Sequence, residues 1–168
     1  MKPTHADIAR QARILIAALQ NEAGLLRRML SLSGLLEDAL QRNDIQNILA
    51  LEEAMRRTSA AAASFEKART AAVELLSRLT GSNGPKLGDL LPSIPEPEAG
   101  TLKRLQREIL TLHQRLAAMQ EVNRALSASG LSTMRMLLRL LTHTAMQPAT
   151  YGHAAAPAAG ALFLDQKA

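Results

Sequence analysis

Stepping by alternating threes and fours from Leu102 gives Leu102, Leu105, Ile109, Leu112, Leu116, Met119, Asn123, Leu126, Gly130, Thr133, Leu137 and Leu140. Nine of these twelve positions are apolar, and the first six are apolar without a break. A spacing of 3.5 residues predicts a helix that lays one narrow stripe on partner helices. No proline interrupts 101–146, so one helix of ~65 Å is expected there. A helix of that length cannot cover its own stripe.

Two earlier stretches supply partners. Over 4–42 the stripe is Ile8, Ala12, Leu15, Leu19, Glu22, Leu26, Met29, Ser33, Leu36 and Leu40. Thr4 followed by Asp7 resembles a capping box that starts this helix. Arg42-Asn43-Asp44 breaks the pattern: Asn tolerates a left-handed backbone and Asp caps the next helix. The second helix, 44–80, carries Ile48, Leu51, Met55, Thr58, Ala62, Phe65, Arg69, Ala72, Leu76 and Leu79. Its centre, Ser59 to Ser64, is SAAAAS, which buries little area and predicts a weakly packed section. Residues 81–100 hold four of the seven prolines and four of the nine glycines. They stop a helix and are long enough to let the third helix return antiparallel to the first two, with one short turn at 86–91. The predicted fold is all-α: long antiparallel helices in a helical hairpin or coiled-coil bundle. One bundle domain is expected over 1–146, then a flexible tail over 147–168 that is rich in Ala, Pro and Gly.

Composition supports this picture and removes alternatives. The chain has 168 residues, is 47% hydrophobic and only 2% aromatic, and has no cysteine. Leu, Ala and Met must therefore do the packing, as in bundles, and no disulfide framework or thiolate chemistry is available. No stretch reaches a membrane span, and the charged N-terminal stretch lacks the apolar core of a secretion signal, so a soluble cytoplasmic protein without membrane insertion is expected. The net charge is +5, and 101–146 hold seven Lys or Arg against Glu108 and Glu121. Without a helix-turn-helix, zinc finger or aromatic platform, this excess reads as a solvated face and no nucleic acid is expected.

Catalytic chemistry is not expected. His5, His113, His143 and His153 share no metal-ligand spacing. Glu37-Asp38 and Glu52-Glu53 are sequence neighbours that point roughly 100° apart on a helix, which rules them out as an acid–base pair. The glycines at 81, 84 and 88 lack a phosphate-loop ending. No enzyme activity, catalytic residue, metal or cofactor is assigned.

The seam changes at Asn123, a polar residue between Met119 and Leu126. Such a residue either bonds across the bundle or marks where the closed core ends. Beyond it a second stripe starts: Leu131, Met134, Leu138 and Leu141, with Leu137 beside it. A new stripe on a continuing helix means a new partner or an unfilled face, and Leu/Met faces adapt to helical ligands. These residues are expected to be exposed in the free protein or covered by a second copy, which would make a homodimer.

The order of elements resembles the FlgN family of flagellar export chaperones. Two long helices precede a linker with Leu87-Gly-Asp-Leu-Leu91. A long helix with Glu121-Val-Asn123-Arg-Ala-Leu126 follows, and then Pro148-Ala-Thr-Tyr151-Gly152. The resemblance implies a cytoplasmic type III export chaperone that binds the C-terminal helices of the hook-associated proteins FlgK and FlgL. It would prevent their premature assembly and deliver them to the FlhA cytoplasmic domain of the export gate. By similarity, client binding falls on Asn123, Leu126, Leu131, Met134, Leu137, Leu138 and Leu141, and gate binding on Tyr151 and Gly152. A phasin-like amphipathic coat on an apolar granule is the structural alternative, but it needs a broader apolar face along the whole chain than these seams offer.

Overall fold

The computed structural model describes residues 4–82 and 87–145, with the backbone alone at 141 and 143–145. The described residues form three long helices and one short connection: α1 His5–Gln41, α2 Ile45–Thr80, α3 Leu87–Leu90, a 3-10 turn Leu91–Ser93, and α4 Glu98–Ala145. No strand occurs among them.

The helix ends follow local chemistry. Thr4 and Asp7 close a reciprocal capping box, with each side chain accepting from the other's backbone N–H. Asn43 takes φ 53° and Asp44 accepts from the Asn47 N–H at 3.2 Å, so a three-residue reversal joins α1 to α2. Gly81 ends α2 in the left-handed conformation at φ 69°, where a Cβ would be strained. α4 starts at Glu98, ahead of the expected 101. Glu96 accepts from the Gly100 N–H at 3.1 Å, and Arg13 Nε donates to Glu98 Oε1 at 3.0 Å. These contacts organise the first turn where the sequence alone shows only a Pro/Gly segment. The Arg13 bond also holds the Glu98 carboxyl below the usual carboxylate range.

α1 and α2 run antiparallel. Gln11 donates to the Ala72 carbonyl at 3.4 Å, and Glu22 lies 3.6 Å from Arg69. The third helix corrects one expectation. α4 is antiparallel to α2 but parallel to α1: Arg13 meets Glu98, Arg27 meets Glu108, and Ser33 meets Asn123. α4 starts with Glu98 beside Arg13 in the first part of α1 and then runs with it.

Of the largest fully buried side chains, four are leucines, one from each helix: Leu15, Leu76, Leu90 and Leu102. Leu90 and Ile94 of the connection close the end of this core against Ala99, Leu105, Ala72 and Val73. Burying each such leucine stabilises the fold by roughly 1.5–3 kcal/mol. A smaller cluster, Ala23, Leu26, Leu112 and Leu116, continues the seam upward. Between Thr58 and Ala72 no residue of α2 is buried, because the SAAAAS side chains reach too little. An open groove of about 570 Å³ results, bordered by Gly24, Ala54, Ala61 and Phe65.

By compactness the chain divides into a unit of residues 1–131 and a unit of residues 132–168. Residues 146–168 lie outside the described residues.

A Cβ on Gly24 would meet nothing within 4 Å. Gly24→Ala should therefore raise the unfolding free energy by roughly 0.5–1 kcal/mol, through reduced freedom of the unfolded chain and better helix propensity. Denaturant titration checks this, and a loss of stability would show that the groove has no room for a methyl.

Candidate functional site

The candidate site lies on α4, whose residues fall in both compact units. Along α4, Leu102, Leu105, Leu112, Leu116 and Asn123 are buried, and Ile109 and Met119 are half-buried. Every predicted seam position to Asn123 therefore faces inward. Asn123 is the last. Its side chain is 7% exposed, and its Nδ2 donates to the Ser33 carbonyl of α1 at 3.0 Å. Close approach here is helped by Gly34, where an added Cβ would stand 3.4 Å from Met119 Cε. Among the described residues, Asn123 Oδ1 and Ser33 Oγ have no hydrogen-bond partner. An orphaned polar atom in a buried layer is destabilising, so this layer is the weakest of the seam.

The expected client-binding set divides at this layer. Asn123 lies inside, bonded across the bundle, and its amide is not on an open face. Leu126 is half-buried at the rim. Leu131, Met134, Leu137 and Leu138 are exposed, at 60%, 56%, 49% and 55%. The side chain of Leu141, and Tyr151 and Gly152 entirely, lie outside the described residues.

The structure adds residues that the stripe did not name. Met136 and Leu140 are exposed as well. Leu140 belongs to the old seam and Met136 to neither stripe, so the apolar surface is wider than one heptad line. In the bundle unit, Leu36 of α1, Met55 of α2, and Ser127 and Leu131 of α4 border a groove of about 490 Å³ at the open end. Ile45 and Leu49, one turn apart on α2 next to the hairpin reversal, are also exposed. Their neighbours Ile48 and Leu51 carried the seam, which left these two without an expected role.

Charge is arranged unevenly. On α2, the Arg56 guanidinium, then Arg57, hold the Glu53 carboxyl down to about 2. On α4, Arg124 pairs with Glu121 at 2.6 Å. His113 is exposed on the flank of the seam, with Nε2 3.9 Å from Glu22. Among the described residues, no cluster of three or more His, Cys, Asp or Glu is placed to hold a metal, and no helix is long and apolar enough to cross a membrane. What this arrangement offers is apolar area along a helix.

The model of the FlgN family, described as FlgN protein, matches residues 11–159. The chain belongs to the FlgN family. The match covers most of α1 and all of α2 and α4, and runs past Tyr151. FlgN-family proteins are flagellar export chaperones that bind hook-associated proteins. No curated protein and no solved structure matches the chain. Family membership displaces the granule-coat alternative, and the all-α architecture agrees with it.

The polar layer gives a test of its own. Ser33→Ala removes a buried hydroxyl that has no partner and should leave stability unchanged or raise it by up to about 1 kcal/mol. Asn123→Ala removes the bond to Ser33 and leaves a void, and should lower stability by about 1–2 kcal/mol. Equal losses in the two variants, read by denaturant unfolding, would mean that the Ser33 hydroxyl is bonded in solution.

Proposed function

We propose that this FlgN-family chain holds the C-terminal helices of FlgK and FlgL on the open part of α4, in the cytoplasm, and carries them to the FlhA cytoplasmic domain. The observation that carries this proposal is the set of six exposed apolar side chains from Leu131 to Leu140 on a helix whose earlier seam is buried. A regular helix with an exposed Leu/Met face suits an amphipathic helical ligand. Holding a client helix there would keep the client's assembly surface covered until export. Tyr151 and Gly152 follow α4 by only a few residues. A tyrosine there is suited to be the gate contact, because it brings large area with few rotors to freeze.

Met134 and Leu138 are one turn apart on the exposed face. Changing both to Ala should weaken binding of a hook-associated C-terminal segment by about a hundredfold, since each buried side chain contributes roughly 1.5–3 kcal/mol. Melting temperature should stay within a degree or two, because exposed positions contribute little to folding. Calorimetry with the wild type and the double variant measures the first, and thermal unfolding the second. Unchanged affinity would remove this face from client binding.

Tyr151→Ala should leave client affinity unchanged and weaken association of the client-loaded chaperone with the FlhA cytoplasmic domain. Titration of that domain with loaded wild type and variant decides it, and equal affinities would exclude Tyr151 from gate contact.

A further inference from the structure

The middle of α2 borders two openings that share Leu25 and Phe65 as a common wall. Phe65 is the only Phe, Tyr or Trp among the described residues. It is half-buried and belongs to neither buried cluster, in the stretch of α2 where no residue is buried. The two openings differ in charge. The smaller, about 360 Å³, is bordered by Glu22, Glu66 and His113, and both of its carboxylates already pair with Arg69. The larger, the groove of about 570 Å³, is bordered by Arg28 and Arg57, and no Asp or Glu borders it among the described residues.

The larger groove is built from one face of each helix. On α1, Gly24 and Arg28 are one turn apart, and on α2, Arg57, Ala61 and Phe65 are each one turn from the next. α1 and α2 are antiparallel, with Gln11 beside Ala72 and Glu22 near Arg69, so Arg28 falls roughly level with Arg57. Guanidinium groups from both helices therefore stand at one end of the groove, toward the α1–α2 reversal, and the Phe65 ring stands at the other. Between them the walls are Gly24 and Ala61, and a Cβ on Gly24 would meet nothing within 4 Å. Arg57 Nε donates to Glu53 at 2.8 Å, which orients its side chain, and a guanidinium can serve a second carboxylate at the same time.

We propose that this groove docks an amphipathic helix of another protein, one that presents an apolar side chain to Gly24, Ala61 and Phe65 and an Asp or Glu one turn away to Arg28 and Arg57. The inference stands apart from client binding, because it uses residues of the α1–α2 hairpin and none of α4. An open channel between two antiparallel helices is a shape that a third helix fills by setting its side chains between theirs. The Phe65 ring offers large contact area with few rotors to freeze. The guanidiniums select the sign of the partner's charge: a carboxylate gains charge-assisted hydrogen bonds there, and an ammonium gains none.

The test uses the full chain and three synthetic helical peptides: one with a Leu face and Glu one turn away, one with Lys in place of that Glu, and one with Ser in place of Leu. The wild type should bind the Leu/Glu peptide about tenfold or more tightly than either of the others at low salt, with the gap over the Lys peptide narrowing at high salt. Arg28→Glu should remove the preference for Glu over Lys. Ala61→Met, which puts a side chain into the groove, should weaken the Leu/Glu peptide about tenfold or more. Both positions are exposed, so helical content and melting temperature should be kept, and binding of a hook-associated C-terminal segment should not change. Equal binding of the Leu/Glu and Lys peptides, or failure of all three, would overturn the proposal. Loss of the hook-associated segment in both variants would make the groove part of the client site and overturn it as well. So would peptide binding that survives Ala61→Met but is lost in the double variant Met134→Ala, Leu138→Ala, which would place the peptide on α4. Self-association of the wild type that Ala61→Met abolishes would assign the groove to a second copy. Peptide binding seen only after Leu162, Phe163 and Leu164 are changed to Ser would assign it to the chain's own C-terminal residues, and either result would overturn the proposal.

Discussion

The structure depends on one register: α4 runs parallel to α1, and Asn123 is pinned to Ser33. From Ser33 to the end of α1 at Gln41 is eight residues, and eight residues on from Asn123 is Leu131, where the first compact unit ends. α4 itself continues to Ala145, with exposed apolar side chains at Met134, Met136, Leu137, Leu138 and Leu140. Had α4 run antiparallel to α1, the same seam would pair with a different half of the hairpin.

In the function proposed above, stability and client binding fall on different parts of one helix. Its first half is held by leucine burial, most densely where Leu15, Leu76, Leu90 and Leu102 meet. In its second half Met134, Met136, Leu137, Leu138 and Leu140 are exposed. Between them stands a polar layer that is buried and only partly bonded. That layer ends the seam at a defined place, because an asparagine held by one backbone carbonyl tolerates few shifts of register. The exposed residues at the hairpin reversal, Ile45 and Leu49, lie on the bundle unit and give α2 an apolar surface of its own.

Much of this was legible in the residues. The heptad steps from Leu102 to Asn123 all face inward, since a 3.5-residue spacing and a helical partner leave them nowhere else to go. Thr4, Asn43, Asp44 and Gly81 sit at the helix ends because each solves a backbone problem that its side chain, or its lack of one, announces. The weak section around SAAAAS follows from side-chain size. Leu90 and Ile94 were not visible as core, because a segment broken by prolines and glycines has no period from which to infer a face. The direction of α4 relative to α1 was also hidden: a stripe records that a helix packs, not which way it runs. Asn123 could be read either as a cross-bundle bond or as the mark where the core ends, and the structure makes it the bond that ends the core. Met136 escaped because it belongs to no single heptad line, and its exposure shows only once the whole surface of the helix is considered.

The central claim is that α4 changes from a packed helix to a ligand-binding helix beyond Asn123. Amide hydrogen exchange, followed residue by residue with and without a hook-associated C-terminal segment, tests it most directly. The account predicts that amides of 132–145 exchange readily in the free chain and become protected on binding, while those of 102–119 are protected throughout. Protection of 132–145 in the free chain, or new protection confined to the α1–α2 groove, would contradict it.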